Sequence, residues 1–339
     1  MSLKSENDLL ERIALRFPET HGDLLVGRGD DCAVLQSHPD SCRCVSTDLF
    51  LENVHFRRSY FRAEEIGYKA LAVNISDIAA SGGRPKGFTL SLGLPPDTEQ
   101  DWFDAFIDGM AEAAQPYQMA LAGGDLSSSP FLHVCITIWG DVNPEFLLTR
   151  GNGMPGDTLF VVGELGLARV GLEELETHGN AARELWPAAC AAHLKPRPQV
   201  DAGLMLVRAG RYGRPPALMD LSDGMARDLP RLLGMSGSGT KVSGRSLGAE
   251  LVLPRGLLPA ETVRHAEAHG RDPVMEAFLG GEDYALLGCC APDMLPALQA
   301  AIPQFMAIGT VTDSGYIVCN GLRLGEDMTG FDHFGQGWG

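Results

Sequence analysis

The sequence predicts a mixed fold, α/β or α+β, in which strands and helices occur in both halves of the chain. Segments of alternating apolar residues are interspersed with segments of helical periodicity along the whole length. A length of 339 residues favours two domains. Residues 143–157 are rich in glycine and proline, which is typical of a boundary. We therefore expect an N-terminal α/β domain over residues 1–146 and a C-terminal α/β domain over residues 147–339.

The elements of the N-terminal half follow from periodicity and from helix-ending residues. Residues 5–17 place their apolar side chains on one helical face. Residues 63–81 form a long alanine-rich helix that stops at two glycines. Alternating patterns predict three strands, at residues 43–48, 88–94 and 132–142. A helical pattern predicts one further helix, at residues 97–115.

The C-terminal half shows the same mixture in shorter segments. Apolar runs predict four strands, at residues 159–162, 218–221, 284–289 and 317–319. Helical patterns cover residues 168–175 and 200–209, and another helix is predicted to begin near Gly224. Small residues at 234–239 predict a loop.

Charge and cysteine content limit the partners of the chain. Lys+Arg 27 against Asp+Glu 44 gives a net charge of −17, which repels nucleic acid and anionic membranes. The chain has no apolar run long enough to span a bilayer and begins without a signal-peptide pattern. The cysteines form no C-x-x-C pair and no disulfide framework. We expect a reduced, cytoplasmic protein.

Acidic residues recur beside glycine or small hydroxyl residues, where we expect strands or helices to end. The six motifs are Gly29-Asp30-Asp31, Ser46-Thr47-Asp48, Ser76-Asp77, Gly123-Gly124-Asp125, Asp220-Leu221-Ser222-Asp223-Gly224 and Gly280-Gly281-Glu282-Asp283. Magnesium is typically held by one or two carboxylates, together with waters and substrate phosphates. Glycine lets phosphate oxygens approach backbone N–H groups. Together the motifs predict a metal-assisted phosphate site.

Each acidic motif also has a structural interpretation, since aspartate before glycine is common in turns and Ser-x-x-Asp is common in helix caps. Asp77 is the exception, because it lies on an apolar helix where a carboxylate needs a partner. His55 is either a loop histidine or a ligand contact, and Arg150 is either solvated or a clamp for phosphate. The G-x-G-x-x-G match at residues 151–156 lacks the strand–helix context of a dinucleotide site.

These motifs, taken in order, resemble those of the thiamine-monophosphate kinase family. That family belongs to a superfamily with aminoimidazole ribonucleotide synthetase, selenophosphate synthetase and a hydrogenase maturation protein. The resemblance covers nearly the whole chain in order and spacing. It is carried by residues 6–9, 29–34, 46–56, 69–80, 123–125, 220–224, 280–284 and 330–334.

The resemblance implies two mixed α/β domains of the aminoimidazole ribonucleotide synthetase-like type, with an N-terminal ATP- and magnesium-binding half and a C-terminal half that completes the substrate site. It also implies a homodimer. The implied reaction converts ATP and thiamine monophosphate to ADP and thiamine diphosphate by direct in-line transfer, with several Mg²⁺ ions. Because the attacking phosphate is already anionic, no acid–base residue is assigned.

The resemblance also assigns roles by position. The implied magnesium ligands are Asp30, Ser46, Thr47, Asp48, Asp77, Asp125, Asp220 and Asp223. The implied ATP contacts are Gly124, Asp125, Arg150 and Ser222. The implied thiamine monophosphate contacts are His55, Glu282 and Phe331.

The chain departs from the family's pattern after Asp125. The family often continues Gly-Gly-Asp with Thr-Thr-Arg, whereas this chain has Leu126, Ser127 and Ser128. Two other functions stay open at this point. One is another ATP-dependent enzyme of the superfamily, similar to aminoimidazole ribonucleotide synthetase. The other is a non-catalytic sensor of magnesium–nucleotide.

Overall fold

The computed structural model describes residues 24–26, 30–38, 41–210, 213–235 and 247–325. The predicted helix at residues 5–17 and Phe331 lie outside these ranges, as does most of the predicted loop at residues 234–239. Within the described residues the fold is mixed α/β with two sheets, as expected. None of the described helices has the length and apolar character needed to cross a membrane.

The first sheet has six strands in the order β1-β2-β3-β6-β4-β5. All pairs are antiparallel except β4 with β5, which run parallel. The strands are β1 (Leu24–Val26), β2 (Ala33–His38), β3 (Ser41–Leu51), β4 (Arg84–Leu94), β5 (Ala120–Ser128) and β6 (His133–Val142).

Helix α1 (Ala63–Ala80) packs on one face of the first sheet, and α2 (Gln100–Ala114) packs against α1. Strands β3 and β6 alternate between buried and more exposed side chains, so each has one face in the core. Helix α1 is buried on nearly all sides because it also contacts elements of the second half of the chain. This explains why apolar side chains occur on every side of α1, and why its polar side chains need partners within the fold.

The second sheet has seven strands in the order β13-β12-β9-β11-β7-β10-β8. These strands are β7 (Thr158–Val162), β8 (Ala217–Asp220), β9 (Gly248–Leu251), β10 (Leu286–Cys290), β11 (Phe305–Thr312), β12 (Ile317–Cys319) and β13 (Leu322–Arg323). Its helices are α3 (Leu167–His178), α4 (Ala182–Leu185), α5 (Pro187–Leu194), α6 (Val200–Gly210), α7 (Met225–Leu232), α8 (Ala260–Ala268), α9 (Pro273–Leu279) and α10 (Leu295–Ala301). The predicted domain division at residue 146 falls between the last strand of the first sheet and the first strand of the second, and stays a prediction.

Two acidic motifs do not lie at element ends, so that expectation was wrong for them. Residues 46–48 lie inside β3, which continues to Leu51. Residues 123–125 lie inside β5, which the sequence did not predict as a strand. Strand β5 is exposed along its whole length, so it lacks the buried/exposed alternation from which strands are recognised.

Two glycines let helices α1 and α2 touch backbone to backbone. A Cβ atom on Gly109 would lie 1.8 Å from the carbonyl oxygen of Glu64. A Cβ atom on Gly67 would lie 1.9 Å from the carbonyl oxygen of Phe106. Both distances are far below van der Waals contact, so any side chain at either position forces the helices apart.

We expect Gly109→Ala to lower the free energy of unfolding by about 1–3 kcal/mol, because the added methyl group overpacks the contact between α1 and α2. Urea denaturation measures this change. The matched control is Gly256→Ala, since a Cβ atom there meets nothing within 4 Å. Equal stability of the two variants would contradict the close helix contact.

Candidate active site

Three carboxylates from separate parts of the chain meet in one cluster. Asp31 precedes β2, Asp77 lies on α1, and Asp220 ends β8. One oxygen of each lies within 4.8 Å of the others. Burial, followed by repulsion from nearby carboxylates, raises the pKa of Asp77 and Asp220 well above the usual range. Such a set of hard oxygen donors fits a divalent cation such as Mg²⁺.

Strand β3 presents alternate residues of the Ser46-Thr47-Asp48 motif to opposite faces of the sheet. Ser46 Oγ donates to Asp77 Oδ2 at 2.5 Å. Asp48 lies on the same face, and burial together with Asp223 raises its pKa to about 6. Thr47 Oγ1 donates instead to the Ile136 carbonyl at 3.0 Å on the other face. Within this chain, the Thr47 hydroxyl is therefore not part of the carboxylate cluster.

The loop that carries Ser222 and Asp223 is held by two residues that the sequence did not single out. The buried carboxylate of Asp228 accepts hydrogen bonds from the backbone N–H groups of Ser222 at 3.1 Å and Asp223 at 3.0 Å. Arg231 Nη1 donates to Asp223 at 2.7 Å and to Asp228 at 2.9 Å. Asp228 fixes the backbone of this loop, and Arg231 fixes the carboxylate of Asp223.

Asp30 and Asp31 have different roles, since Asp30 binds backbone N–H groups and Asp31 belongs to the carboxylate cluster. Arg150 binds Asp31 through two hydrogen bonds, Nη2 to Oδ1 at 2.8 Å and Nε to Oδ2 at 3.2 Å. Asp30 accepts from the backbone N–H groups of Asp31 at 2.9 Å and Arg150 at 3.1 Å. Asp31 is the residue of this pair whose carboxylate lies beside Asp77 and Asp220. The resemblance assigns Asp30, and not Asp31, as a magnesium ligand.

A cavity of about 430 Å³ brings together half of the predicted site residues. The predicted residues that line it are Asp48, Asp77, Asp220, Ser222, Asp223, His55 and Glu282. Phe50, Tyr60 and Tyr284 give the same cavity an aromatic part. This one cavity therefore combines acidic groups that can bind cations with an aromatic, partly apolar wall.

His55 has a fixed orientation at this cavity. Its Nδ1 accepts a hydrogen bond from the Leu51 N–H at 3.0 Å, which places the proton of a neutral ring on Nε2. Its ring stacks on Phe50 at a centroid distance of 5.8 Å.

Glu282 is held by two buried basic side chains. Lys69 Nζ lies 3.2 Å from Oε1, and His193 Nδ1 lies 2.9 Å from Oε2. Burial alone would raise the pKa of Glu282, but Lys69 and His193 outweigh it and hold the pKa well below its usual range. Glu282 also has a left-handed backbone, with φ 64°, and so has Tyr284, with φ 48°. The cavity therefore has a carboxylate whose ionised form is favoured and whose orientation is fixed by its two partners.

Lys69 is not among the residues predicted from the sequence, although the sequence contains a signal for it. Lys69 lies on the same apolar helix as Asp77, and the same need for a partner applies to it. His193 is the one polar side chain of the short helix α5. Their shared partner, Glu282, is distant in sequence, and only the fold shows that they meet.

Gly124 and Asp125 lie apart from the cavity in the same chain. The register pairs Gly124 with Leu90, Leu90 with Ile136, and Ile136 with Asp48, so three strand spacings separate β5 from Asp48. That separation is about 14 Å. A Cβ atom on Gly124 would lie 1.8 Å from the Leu90 carbonyl oxygen, which explains glycine there.

Comparison with known proteins agrees with this fold. Residues 29–142 match the family model described as AIR synthase related protein, N-terminal domain. The fold and the carboxylate-lined cavity thus define a protein of the AIR synthase-related class.

Individual relatives identify the family within this class. Thiamine-monophosphate kinase from Synechococcus elongatus is 35% identical over 91% of this chain and 91% of its own length. The enzyme from Escherichia coli K12 is 32% identical over 97% and 98%. A solved structure of AaThiL complexed with AMPPCP and TMP is 29% identical, covers 97% of each chain, and gives a TM-score of 0.80. The chain belongs to the thiamine-monophosphate kinase family.

We expect Lys69→Met to lower the free energy of unfolding at pH 7 by about 2–3 kcal/mol, because it removes the ammonium group beside the Glu282 carboxylate and leaves it only the contact with His193. This is less than for a fully buried pair, since the Glu282 side chain is 22% exposed. In the variant, burial raises the pKa of Glu282, so the deficit shrinks as the pH falls and the carboxyl group becomes protonated.

Urea denaturation at neutral and at mildly acidic pH measures this deficit. Lys86→Met, at an exposed lysine of β4, is the matched control. A deficit in Lys69→Met that does not change with pH would show that lost packing, and not the ion pair, causes it.

Proposed function

We propose that the cavity binds ATP and thiamine monophosphate and transfers the γ-phosphoryl group to the latter, giving ADP and thiamine diphosphate. The observation that carries this proposal is the single cavity in which Asp48, Asp77, Asp220 and Asp223 face Glu282. Family membership supports the reaction. The AMPPCP and TMP complex of AaThiL supports both ligands.

Several Mg²⁺ ions form part of this proposal, and the donor set fits them. Asp31, Asp77 and Asp220 offer one group of oxygens, and Asp48 and Asp223 stand beside it. We retain Asp30, Ser46 and Asp125 as proposed ligands and add Asp31. Thr47 stays a proposed ligand through a group other than its hydroxyl, which binds the Ile136 carbonyl on the other face of the sheet. Magnesium, when bound, supplies the positive charge that offsets the phosphate oxygens in phosphoryl transfer.

The residues of the chain then act by binding and orientation. Ser222, held by Asp228, and Arg150, held on Asp31, are the proposed ATP contacts together with Gly124 and Asp125. The acceptor phosphate of thiamine monophosphate is already anionic, so an in-line attack on the γ-phosphorus needs alignment more than a base. We assign no acid–base residue.

The thiamine part is proposed to lie at the other end of the cavity. Glu282 offers a fixed negative charge to the cationic ring, although Lys69 offsets part of that charge. His55 stands on Phe50 at the same cavity, and Phe331 is a further proposed contact outside the described residues. Tyr60 and Tyr284 add aromatic surface for a heterocycle.

We further propose a homodimer in which the partner subunit supplies Asp125 to the site. Strand β5 is an exposed edge strand, and it carries Leu121 and Leu126, which are 55% and 65% exposed. An exposed apolar edge favours pairing with a second chain. Such pairing would also bring Asp125 of one subunit to the site of the other, whereas about 14 Å separates Asp125 from Asp48 in one chain.

The cysteines are all free thiols, which supports a reducing compartment such as the cytoplasm.

We expect the chain to release ADP from ATP when thiamine monophosphate and Mg²⁺ are supplied, and Asp48→Ala or Asp223→Ala to reduce turnover at least about 100-fold. A coupled ADP assay measures turnover, with Asp293→Ala as a control at an exposed carboxylate. ATP binding without ADP release would favour the sensor. ADP release with another small phosphate only would favour a different enzyme of the superfamily.

The dimer proposal makes a separate prediction. Asp48→Ala and Asp125→Ala should each be inactive alone, but isolated mixed dimers should recover up to about half of wild-type activity, because each mixed dimer then has one intact site of two. The subunits are exchanged by co-expression with two affinity tags. Mixed dimers that form but stay inactive would place Asp125 in the site of its own chain, or outside any site.

A further inference from the structure

A second cluster of ligand-type side chains lies between helices α3 and α8, outside the proposed active site. Glu174 and His178 are four residues apart near the end of α3. His265 lies on α8, and His269 follows it by four residues. Residues spaced by four share one face of a helix, so each helix directs a pair of potential ligands at the other.

Three of the four residues have ligand atoms close enough to share one ion, and His178 adjoins them through its contact with Glu174. Ligand atoms of Glu174, His265 and His269 all lie within 4.8 Å of one another. Glu174 Oε1 is 3.3 Å from His265 Nε2, and Glu174 Oε2 is 2.9 Å from His178 Nδ1. His269 Nδ1 lies 2.9 Å from the His265 carbonyl oxygen, which places the proton on Nδ1 and makes Nε2 the ligand atom.

The buried charge in the cluster is not balanced by arginine. Arg169 and Arg271 both bind Glu173, and Arg271 also binds Glu276. Glu174 is only 5% exposed, and its partners among the described residues are histidines. The buried Glu174 carboxylate therefore has no arginine or lysine partner among the described residues, and a bound cation would balance its charge.

His265 gives an independent indication of a ligand. Its side chain is 1% exposed, and its Nδ1 has no hydrogen-bond partner within the described part of the chain. The nearest carboxylate oxygen, Glu276 Oε1, is 3.9 Å away, too far for a hydrogen bond. An ion on Nε2 fixes the proton on Nδ1 and directs it at Glu276, in the carboxylate–histidine–metal arrangement common in metal sites.

We propose that Glu174, His178, His265 and His269 bind one transition-metal ion of the Zn²⁺ type, which joins α3 to α8. Three imidazoles and one carboxylate suit Zn²⁺ in tetrahedral geometry and do not suit Mg²⁺. The site is structural, because four protein ligands leave no open position. Leu172 and Glu176 of α3 line the active-site cavity, so the ion fixes the helix that forms one wall of that cavity.

The test uses the full chain, stripped of metal with a chelator and then titrated with ZnCl₂ in excess Mg²⁺. The expected result is one Zn²⁺ per chain and a rise in Tm of roughly 5 °C. The double variant His178→Ala/His269→Ala should bind Zn²⁺ at least about 100-fold more weakly. Both histidines are at the surface, so the variant keeps its core. Co²⁺ in place of Zn²⁺ should give the visible bands of a tetrahedral site in the wild-type chain only.

Two matched variants separate this site from other sources of binding. His133→Ala removes an exposed histidine of the first sheet and should leave Zn²⁺ binding unchanged. Asp77→Asn weakens the carboxylate cluster of the active site and should also leave it unchanged. The proposal is overturned if the wild-type chain takes up no Zn²⁺, if the double variant binds it equally, or if Asp77→Asn abolishes binding.

Discussion

The main constraint on the structure is the repulsion among the buried carboxylates around Asp77, which the fold has to offset. Asp31 and Asp220 lie within 4.8 Å of it, and burial makes each negative charge costly. The surrounding fold offsets part of this cost through a hydroxyl group from Ser46 and a guanidinium group from Arg150. Close packing of α1 against its neighbours keeps the three groups from separating. The protein thus holds an arrangement that is stable only with a cation or a proton.

Helix α1 also sets the distance between the two ends of the site. Asp77 belongs to the carboxylate cluster, and Lys69, eight residues earlier on α1, holds Glu282. A rise of 1.5 Å per residue separates these positions by about 12 Å along the helix axis. One rigid element therefore fixes how far the proposed phosphate end lies from the proposed thiamine end, and neither end can shift without the other.

The sequence sufficed for the fold class, for α1 and for the acidic motifs, because periodicity and glycine positions are local signals. It did not reveal β5, since a strand exposed throughout has no alternation. It did not distinguish Asp30 from Asp31, because the choice depends on which carboxylate faces Asp77 across the fold. The Lys69–Glu282 pair was missed for the same reason, since its two residues are far apart in the chain.

The left-handed backbone at Glu282 and Tyr284 has a consequence for protein engineering. Non-glycine residues in that conformation carry strain of about 1–3 kcal/mol each, and glycine or asparagine would relieve it. At position 282, however, the replacement would remove the carboxylate that Lys69 and His193 hold, and the loss of the ion pair with the buried Lys69 would offset the relief of strain. At position 284 no such ion pair is lost, but Tyr284 lines the cavity. A laboratory selection for heat resistance therefore needs a simultaneous screen for turnover, because the replacement that relieves strain at position 284 changes the wall of the proposed active site.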